Sequence, residues 1–240
     1  MRDLGPRVRE AVQRFWQIRG MQANRQGRET GERDRGSRAD VTGGQQMNGF
    51  EELVRDLLLE TGIPESAIHF RKCIELPGYF RAEKQWDLLV VVKDQLLAAI
   101  EFKSQVGSFG NNFNNRTEEA IGTASDLWTA YREGAFQPSA RPWLGYLMLL
   151  ESAQGSMRPI KPAEPHFKVF EEFRGASYAK RYELLMLRLL RERLYDGTCL
   201  LLSSKEEGPA GDYTEPCAEL AFQNFILPLL VQAKMFIAKG

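Results

Sequence analysis

Two apolar segments separated only by a short polar turn lie in the middle of the sequence. QWDLLVVV begins at Gln85 and QLLAAIEFKSQ begins at Gln95, with Lys93 and Asp94 between the apolar stretches. Two strand-length runs with so short a connection predict a β-hairpin. The first run is apolar at every position from Leu88 to Val92 and lacks the polar alternation of a strand with one face in water. We therefore expect this strand to be central in its sheet, with both faces covered.

Outside the hairpin, helical and strand-like patterns alternate along the chain. This order predicts an α/β fold in which a mixed β-sheet is flanked by helices. The other predicted elements are a helix from Gly49, a strand from Ala67, a helix from Thr117 to Glu133, a strand from Trp143, a helix from Ser177 to Tyr195, a strand from Thr198, and a helix from Glu215 to Lys239 interrupted by Pro228.

The first 48 residues differ in composition from the rest of the chain. Met1 to Asp40 contains ten arginines, six acidic residues and no lysine, a net charge of +4 in a chain whose 32 basic and 32 acidic residues cancel. Val8 to Ile18 predicts a short helix, whereas Gly20 to Gly49 is too polar to fold alone. We predict an N-terminal arm, residues 1–48, and a folded domain, residues 49–240. The arm is either a solvated linker or a phosphate-binding segment, and in the second case its candidate contacts are Arg25, Arg28, Arg33, Arg35 and Arg38.

Three charged residues interrupt the apolar strands of the hairpin. Asp87 lies in the first strand, and Glu101 and Lys103 lie in the second. Charged side chains are rare inside such strands unless they are paired or bind a metal. The two-residue period of a strand places Glu101, Lys103 and Gln105 on one face. The three charges are either a buried ion cluster with no catalytic task or a catalytic site.

The register of the hairpin decides whether the two acids meet. A three-residue turn, residues 93–95, would pair Val92 with Leu96 and therefore Asp87 with Glu101, with Cβ atoms about 4.5 to 5.5 Å apart. Carboxylates this close repel each other unless a cation keeps both ionised, and oxygen ligands of this kind suit Mg²⁺. An adjacent lysine could orient a water molecule or contact a phosphate oxygen.

Other features argue against several classes of protein. The three cysteines, Cys73, Cys199 and Cys217, form no CxxC pair and so predict neither a disulfide framework nor a zinc site. The sequence contains no glycine-rich phosphate loop and no nucleophile elbow. It also contains no apolar run of membrane-spanning length and no signal-peptide pattern. We therefore expect a cytoplasmic protein that has no membrane partner.

The hairpin also resembles a known catalytic motif. WDLLVVVKDQLLAAIEFKSQ is similar to the active-site hairpin of the PD-(D/E)xK nuclease superfamily, with Trp86 in place of the superfamily's proline. EFKSQVGSFGNNFNNRTEEAIGTASDLW, from Glu101 to Trp128, resembles the XhoI-type type II restriction endonucleases, as does the arginine-rich arm, so that the resemblance spans nearly the whole chain.

This resemblance implies a restriction-endonuclease-like fold and a homodimer that cuts double-stranded DNA at the palindrome CTCGAG, after its first cytosine, with Mg²⁺. A cognate DNA methyltransferase would be its functional counterpart. A repair or junction nuclease of the same superfamily is the close alternative. A DNA-binding module that keeps the fold without activity is the alternative from another class.

The resemblance also implies roles for individual residues. Asp87, Glu101 and the main-chain carbonyl of Phe102 would be metal ligands, and Lys103 would position the attacking water. Some superfamily members add a glutamate from the preceding helix. Here Glu51 is the candidate, because it borders the apolar face of that helix while Glu52 points away. The alternative for Glu51 is a solvated acid at the start of a helix.

Side chains that could contact DNA follow the catalytic strand. Gln105 shares the face of the catalytic residues and could bind a water or phosphate, or it is simply a polar residue at a strand end. We predict that Ser108 to Arg116 is an exposed loop that contacts purine edges in the major groove. Its candidate side chains are Asn111, Asn112, Asn114, Asn115 and Arg116. The alternative is a turn-rich connector, because tight turns also need Gly and Asn.

Overall fold

Five strands form the central sheet of the computed structural model, which describes residues 3–28 and 45–239. Their order in the sheet is β1-β4-β5-β6-β7, and β2 pairs with β3 in a separate two-stranded sheet. The strands are β1 Ile68–Phe70, β2 Glu75–Pro77, β3 Glu83–Gln85, β4 Leu88–Val92, β5 Gln95–Gln105, β6 Trp143–Glu151 and β7 Gly197–Ser203. The α-helices are α1 Gly5–Arg28, α2 Asn48–Leu59, α3 Phe109–Arg132, α4 Gln154–Met157, α5 Tyr178–Arg191 and α6 Phe222–Lys239.

The central sheet is mixed and covered by helices on both faces, as predicted. β1, β4 and β5 pair antiparallel, while β5, β6 and β7 run parallel and are joined by segments that contain α3 and α5. One face of the sheet packs against α1, α2 and α6, and the other packs against α3 and α5. β4 lies between β1 and β5. Its continuous apolar run is explained by this internal position, because both of its faces are covered.

The β4–β5 hairpin is confirmed, but its turn differs from the prediction. Val92 pairs with Gln95, so the turn contains only Lys93 and Asp94, whose φ angles of 50° and 60° are those of a two-residue hairpin turn. A β-bulge between Val90 and Val91 then shifts the pairing by one residue. The pairs nearest the predicted site therefore have the predicted register.

The sequence predicted a single strand from Ala67, but the structure shows two. β1 ends at Phe70, and Arg71 and Cys73 have φ angles of 67° and 54°. Left-handed backbone of this kind ends an extended strand. The chain then enters β2, which pairs with β3 outside the central sheet. The predicted single strand is therefore two strands that belong to two sheets.

The segment predicted as an exposed loop, Ser108 to Arg116, is instead the start of α3. Positive φ angles at Gly107 and Ser108 turn the chain after β5, and the helix begins at once with Phe109. The Phe113 ring lies 5.0 Å from that of Tyr182, centroid to centroid. This packing outweighs the poor helix propensity of a glycine- and asparagine-rich segment.

The first helix is longer than predicted and belongs to the core. Val8, Val12, Phe15 and Trp16 are buried, as their spacing indicated. The helix continues past Gly20 to Arg28, which contradicts the prediction that these residues would not fold. Once a helix is nucleated by packing, each further residue adds a hydrogen bond at little cost. The side chains of Arg25 and Arg28, and the whole of Arg33, Arg35 and Arg38, lie outside the described residues.

The final helix begins later than predicted and is not interrupted. It starts at Phe222, whose N–H donates to the Glu215 carboxylate at 2.9 Å, so that Glu215 caps the helix from outside. Pro228 lies within the helix, between the buried residues Phe225 and Leu229. Among the described residues, no helix is long and apolar enough to cross a membrane.

Candidate active site

Asp87 and the two charged residues of β5 lie together, as the sequence predicted. Asp87 directly precedes β4, and the main-chain N–H of Phe102 donates to its Oδ2 at 2.7 Å. Glu101 and Lys103 flank Phe102 on the opposite face of β5, the face covered by α3 and α5. The hydrogen bond therefore holds Asp87 beside both charged residues.

One ammonium group contacts both carboxylates. Lys103 Nζ pairs with Glu101 and lies 3.4 Å from Asp87 Oδ2. Burial lowers the pKa of Lys103, but the two neighbouring carboxylates raise it above its ordinary value, so this lysine remains a cation at neutral pH. The carboxylates of Asp87 and Glu101 thus converge on the ammonium group of Lys103.

The two carboxylates respond differently to their surroundings. Burial raises the pKa of Asp87, and the charge of Glu101 raises it further. Burial also acts to raise the pKa of Glu101, but Lys103 and Lys84 lower it below its ordinary value. The two lysines therefore favour the ionised form of Glu101, and additional positive charge would favour the ionised form of Asp87 as well.

Lys84 is a site residue that the sequence analysis missed. Its ammonium pairs with the second carboxylate oxygen of Glu101, donates to the main-chain carbonyl of Gln85 at 2.8 Å and lies 4.6 Å from the Trp86 ring centroid. Lys84 lies in β3, where it pairs with Leu76 of β2. In the sequence, nothing distinguishes it from an exposed lysine of a short polar strand.

Tyr146 is a second residue that the sequence did not reveal. It lies beside Glu101 in the parallel pairing of β5 with β6 and is buried. Its hydroxyl has no hydrogen-bond partner within the described part of the chain. A tyrosine in the aliphatic run WLGYLMLLE was the available signal, because a buried phenol normally requires a partner.

Glu51 is buried near Asp87, whereas its neighbour Glu52 is not part of this cluster. Burial, followed by the charge of Asp87, raises the pKa of Glu51 to about 7. Glu52 instead forms a salt bridge with Arg14 of α1. The choice of Glu51 over Glu52 thus agrees with where the structure places the two side chains, and Glu51 is not a solvated acid.

The arrangement suits a hard divalent cation with few protein ligands. In residues 3–28 and 45–239, no group of three or more His, Cys, Asp or Glu side chains is arranged as a metal site. Mg²⁺ usually keeps several waters and needs only one or two carboxylates. Asp87 and Glu101, which both contact one ammonium group, meet that requirement.

The predicted DNA-contacting residues have different environments. Gln105 is buried, and its amide donates to the main-chain carbonyl of Gly107, so it supports the turn before α3. Arg116 is half-buried and pairs with Glu119 at 2.6 Å. Asn112 is half-buried, with its amide 3.3 Å from the Ser108 carbonyl oxygen. The exposed members of the set, on the first turns of α3, are Asn111, Asn114 and Asn115.

Comparison with known proteins gives consistent matches. The family model described as restriction endonuclease XhoI matches residues 26–215. The chain is 51% identical over 204 residues to the type II restriction enzyme BstVI of Geobacillus stearothermophilus, covering 82% of this chain and 91% of that protein. It is 51% identical over 168 residues to AbrI of Azospirillum brasilense, also a type II restriction enzyme, covering 69% and 75%.

A third relative extends the same pattern. The chain is 48% identical over 158 residues to the type II restriction enzyme XhoI of Xanthomonas vasicola, covering 65% of this chain and 64% of that protein. No solved structure matches the chain. The family match includes the whole β4–β5 hairpin with Asp87, Glu101 and Lys103, and the chain therefore belongs to the XhoI family of type II restriction endonucleases.

Proposed function

We propose that the protein uses Mg²⁺ to hydrolyse double-stranded DNA at the palindrome CTCGAG, after the first cytosine. The observation that carries this proposal is the contact of Lys103 Nζ with both Asp87 and Glu101. Two carboxylates that converge on one ammonium group can also share a divalent cation beside it. The CTCGAG site rests on the resemblance to XhoI-type enzymes.

Each residue of the site has a proposed task. Asp87, Glu101 and the main-chain carbonyl of Phe102 would hold Mg²⁺, with Glu51 as a further ligand. When bound, the ion would lower the pKa of a water molecule and neutralise charge on the phosphate. Lys103 would orient the attacking water as a hydrogen-bond donor.

Two alternative functions remain distinct from this proposal. A repair or junction nuclease would use the same residues on a different DNA structure. The identity of 51% to a named type II restriction enzyme, over 91% of that enzyme, favours a restriction enzyme instead. A DNA-binding module without activity would have no need for two converging carboxylates, each of which is costly to bury.

Cleavage of plasmid DNA is the direct test of this function. With Mg²⁺ we expect discrete fragments whose sizes match the spacing of CTCGAG sites, and with EDTA we expect none, because the carboxylates need the cation to act. The same plasmid with its CTCGAG sites mutated is the matched control and should stay intact. Random degradation would indicate another nuclease, and an uncut plasmid in Mg²⁺ would contradict the proposal.

We also infer a homodimer, because a two-fold protein presents the same surface to both halves of a palindrome. The two candidate interfaces are α5 and α6. The leucines of α5 at positions 185, 187 and 189 are buried within the subunit. Val231 and Met235 of α6 are each 56% exposed, one helical turn apart. This comparison favours α6 as the dimer interface.

A cognate methyltransferase and a cytoplasmic location follow from the proposed role in restriction.

Two surfaces are proposed to contact DNA outside the catalytic site. The exposed asparagines 111, 114 and 115 lie on the first turns of α3, which follows the catalytic strand directly. Asparagine amides can bond adenine edges in the major groove. The arm is proposed to add phosphate contacts through Arg25, Arg28, Arg33, Arg35 and Arg38, while the apolar face of α1 packs in the core of the nuclease domain.

The role of Glu51 can be tested by stability in metal-free buffer. Its pKa is raised from 4.5 to about 7, so the folded protein binds this proton more tightly than the unfolded chain and loses stability as the pH rises through that window. Glu51→Gln cannot ionise, so the variant does not lose stability through this group as the pH rises. We expect the variant to be more stable than the wild type at pH 8, by about 3 kcal/mol at most, with no such gain at pH 4.

Thermal unfolding in EDTA at the two pH values measures this effect. Glu52→Gln is the matched control and should show no gain, since Glu52 is paired with Arg14. If Glu51 binds metal, added Mg²⁺ should also stabilise the wild type more than Glu51→Gln at pH 8. The same pH dependence in Glu51→Gln and wild type would exclude Glu51 as the titrating acid.

A further inference from the structure

The turn of the β2–β3 hairpin exposes two aromatic side chains. Tyr79 is 53% exposed and Phe80 is 72% exposed, and their rings meet edge to face with centroids 5.0 Å apart. We refer to these two residues as the aromatic tip. Apolar groups clustered in water are a common mark of a binding surface.

A buried carboxylate fixes the backbone of the aromatic tip. Asp126 of α3 accepts the N–H groups of Tyr79 and Phe80, each at 2.8 Å, and its other oxygen accepts from Arg81 Nε at 2.6 Å. The turn also requires glycine at position 78, since a Cβ there would lie 2.7 Å from Asp126 Oδ2. The two rings are therefore exposed on a backbone that is already ordered, which reduces the entropy lost on binding.

The aromatic tip lies close to the catalytic site. The same hairpin delivers Lys84 to Glu101. Phe80 is four residues from Lys84, so their Cα atoms are at most about 14 Å apart. Because Lys84 itself contacts Glu101, the aromatic tip lies within reach of DNA that flanks the site by a few base pairs. The only charged residue of the turn sequence GYFRA is Arg81, whose side chain is 45% exposed.

We propose that the aromatic tip contacts the double-stranded DNA that flanks the cut site. Aromatic rings stack on bases regardless of sequence, and apolar side chains can enter a base step and kink the duplex. This inference rests on the proposed DNA cleavage. It adds a stacking contact from β2–β3 to the contacts of the arm and of α3.

The test uses a CTCGAG duplex with 2-aminopurine at flanking positions, in Ca²⁺ to prevent cleavage. Tyr79→Ala/Phe80→Ala should bind about 5- to 150-fold more weakly, as expected for loss of one base-stacking contact. It should also lose the fluorescence increase that reports an unstacked base. Because both rings are exposed, its melting temperature should equal that of the wild type.

Two further variants control for apolar area and for general loss of an exposed ring. Tyr79→Leu/Phe80→Leu keeps apolar bulk that can still enter a base step but lacks a π-face, so its affinity should lie between those of the alanine variant and the wild type. Phe167→Ala removes a side chain that is 89% exposed and outside the hairpin, and should bind DNA normally.

The outcomes separate this inference from the proposed function. If the alanine double variant binds with wild-type affinity and an unchanged fluorescence signal while the wild type cuts CTCGAG, the inference fails and the function stands. If the wild type neither binds nor cuts DNA, both fail. If the double variant instead changes the sedimentation of the free protein without weakening DNA binding, the rings belong to a protein interface and the inference is wrong.

Discussion

Asp87→Asn is expected to abolish DNA cleavage in a protein that still folds. The substitution keeps the size of the side chain and an oxygen that can accept the N–H of Phe102, but it removes the charge that the proposed metal requires. A bound metal ion contributes several kcal/mol to transition-state stabilisation, so we expect the cleavage rate to fall on the order of a thousandfold or more. The measurements are single-turnover cleavage and thermal unfolding.

Asp94→Asn provides a matched control in the same hairpin. Asp94 is exposed in the turn, at a φ angle of 60° that asparagine tolerates, so this variant should cleave DNA at the wild-type rate. If Asp87→Asn also cleaves at nearly the wild-type rate, the assignment of Asp87 is wrong.

Glu101→Gln should lose activity to a similar extent but should also lose stability. Glu101 is 3% exposed and carries salt bridges to both Lys84 and Lys103. Without its charge, Lys103 keeps only Asp87 as an ionic partner, and the half-buried ammonium of Lys84 loses its salt bridge. Breaking a buried pair from one side costs about 3–5 kcal/mol. Asp87→Asn is therefore the cleaner test of catalysis, and Glu101→Gln is the test of how the site is held together.

Lys103→Met is the second substitution with a large expected effect. It removes the ammonium that contacts both carboxylates while keeping most of the side-chain volume. Loss of one preorganised donor costs about a hundred- to a thousandfold in rate. Additional Mg²⁺ should not restore activity, because the lysine is proposed to orient the water and not to load the metal. Cleavage measured over a range of Mg²⁺ concentrations tests this.

Lys84→Met is the comparison variant for this test. Lys84 pairs with the same carboxylate but has no salt bridge to Asp87 within the described residues. We expect Lys84→Met to retain more activity than Lys103→Met, since the position of the ammonium matters more than the count of charges. Equal losses in both variants, or full rescue of Lys103→Met by Mg²⁺, would mean that the lysines serve only to neutralise the acids.

Local patterns were sufficient to predict the catalytic strand pair. The apolar run of β4 and the short connection to β5 predict a hairpin, and the two-residue period places Glu101 and Lys103 on one face. The assumed turn was one residue too long, and the bulge beside Val90 compensates for that error at the end near Asp87. A bulge depends on how the whole sheet twists and packs, so neighbouring residues alone do not predict it.

The start of α3 shows where local propensity failed. Glycine and asparagine are typical of turns and are poor helix formers, so the sequence predicted a loop up to Arg116. In the structure, Phe109 and Phe113 pack against aromatic residues of α5, and this contact stabilises the helix. The stabilising residues are more than 60 positions away in the chain, beyond the reach of any local pattern.

Periodicity and residues close together in the chain were therefore enough to predict the α/β class, the hairpin and the cluster of Asp87, Glu101 and Lys103. The remaining features of the site arise only when separate elements pack together. The tertiary structure buries Glu51 beside Asp87, brings Lys84 to Glu101 and fixes the aromatic tip through Asp126. Each of these depends on contacts between separate elements, whose burial and charge arise only when the chain packs.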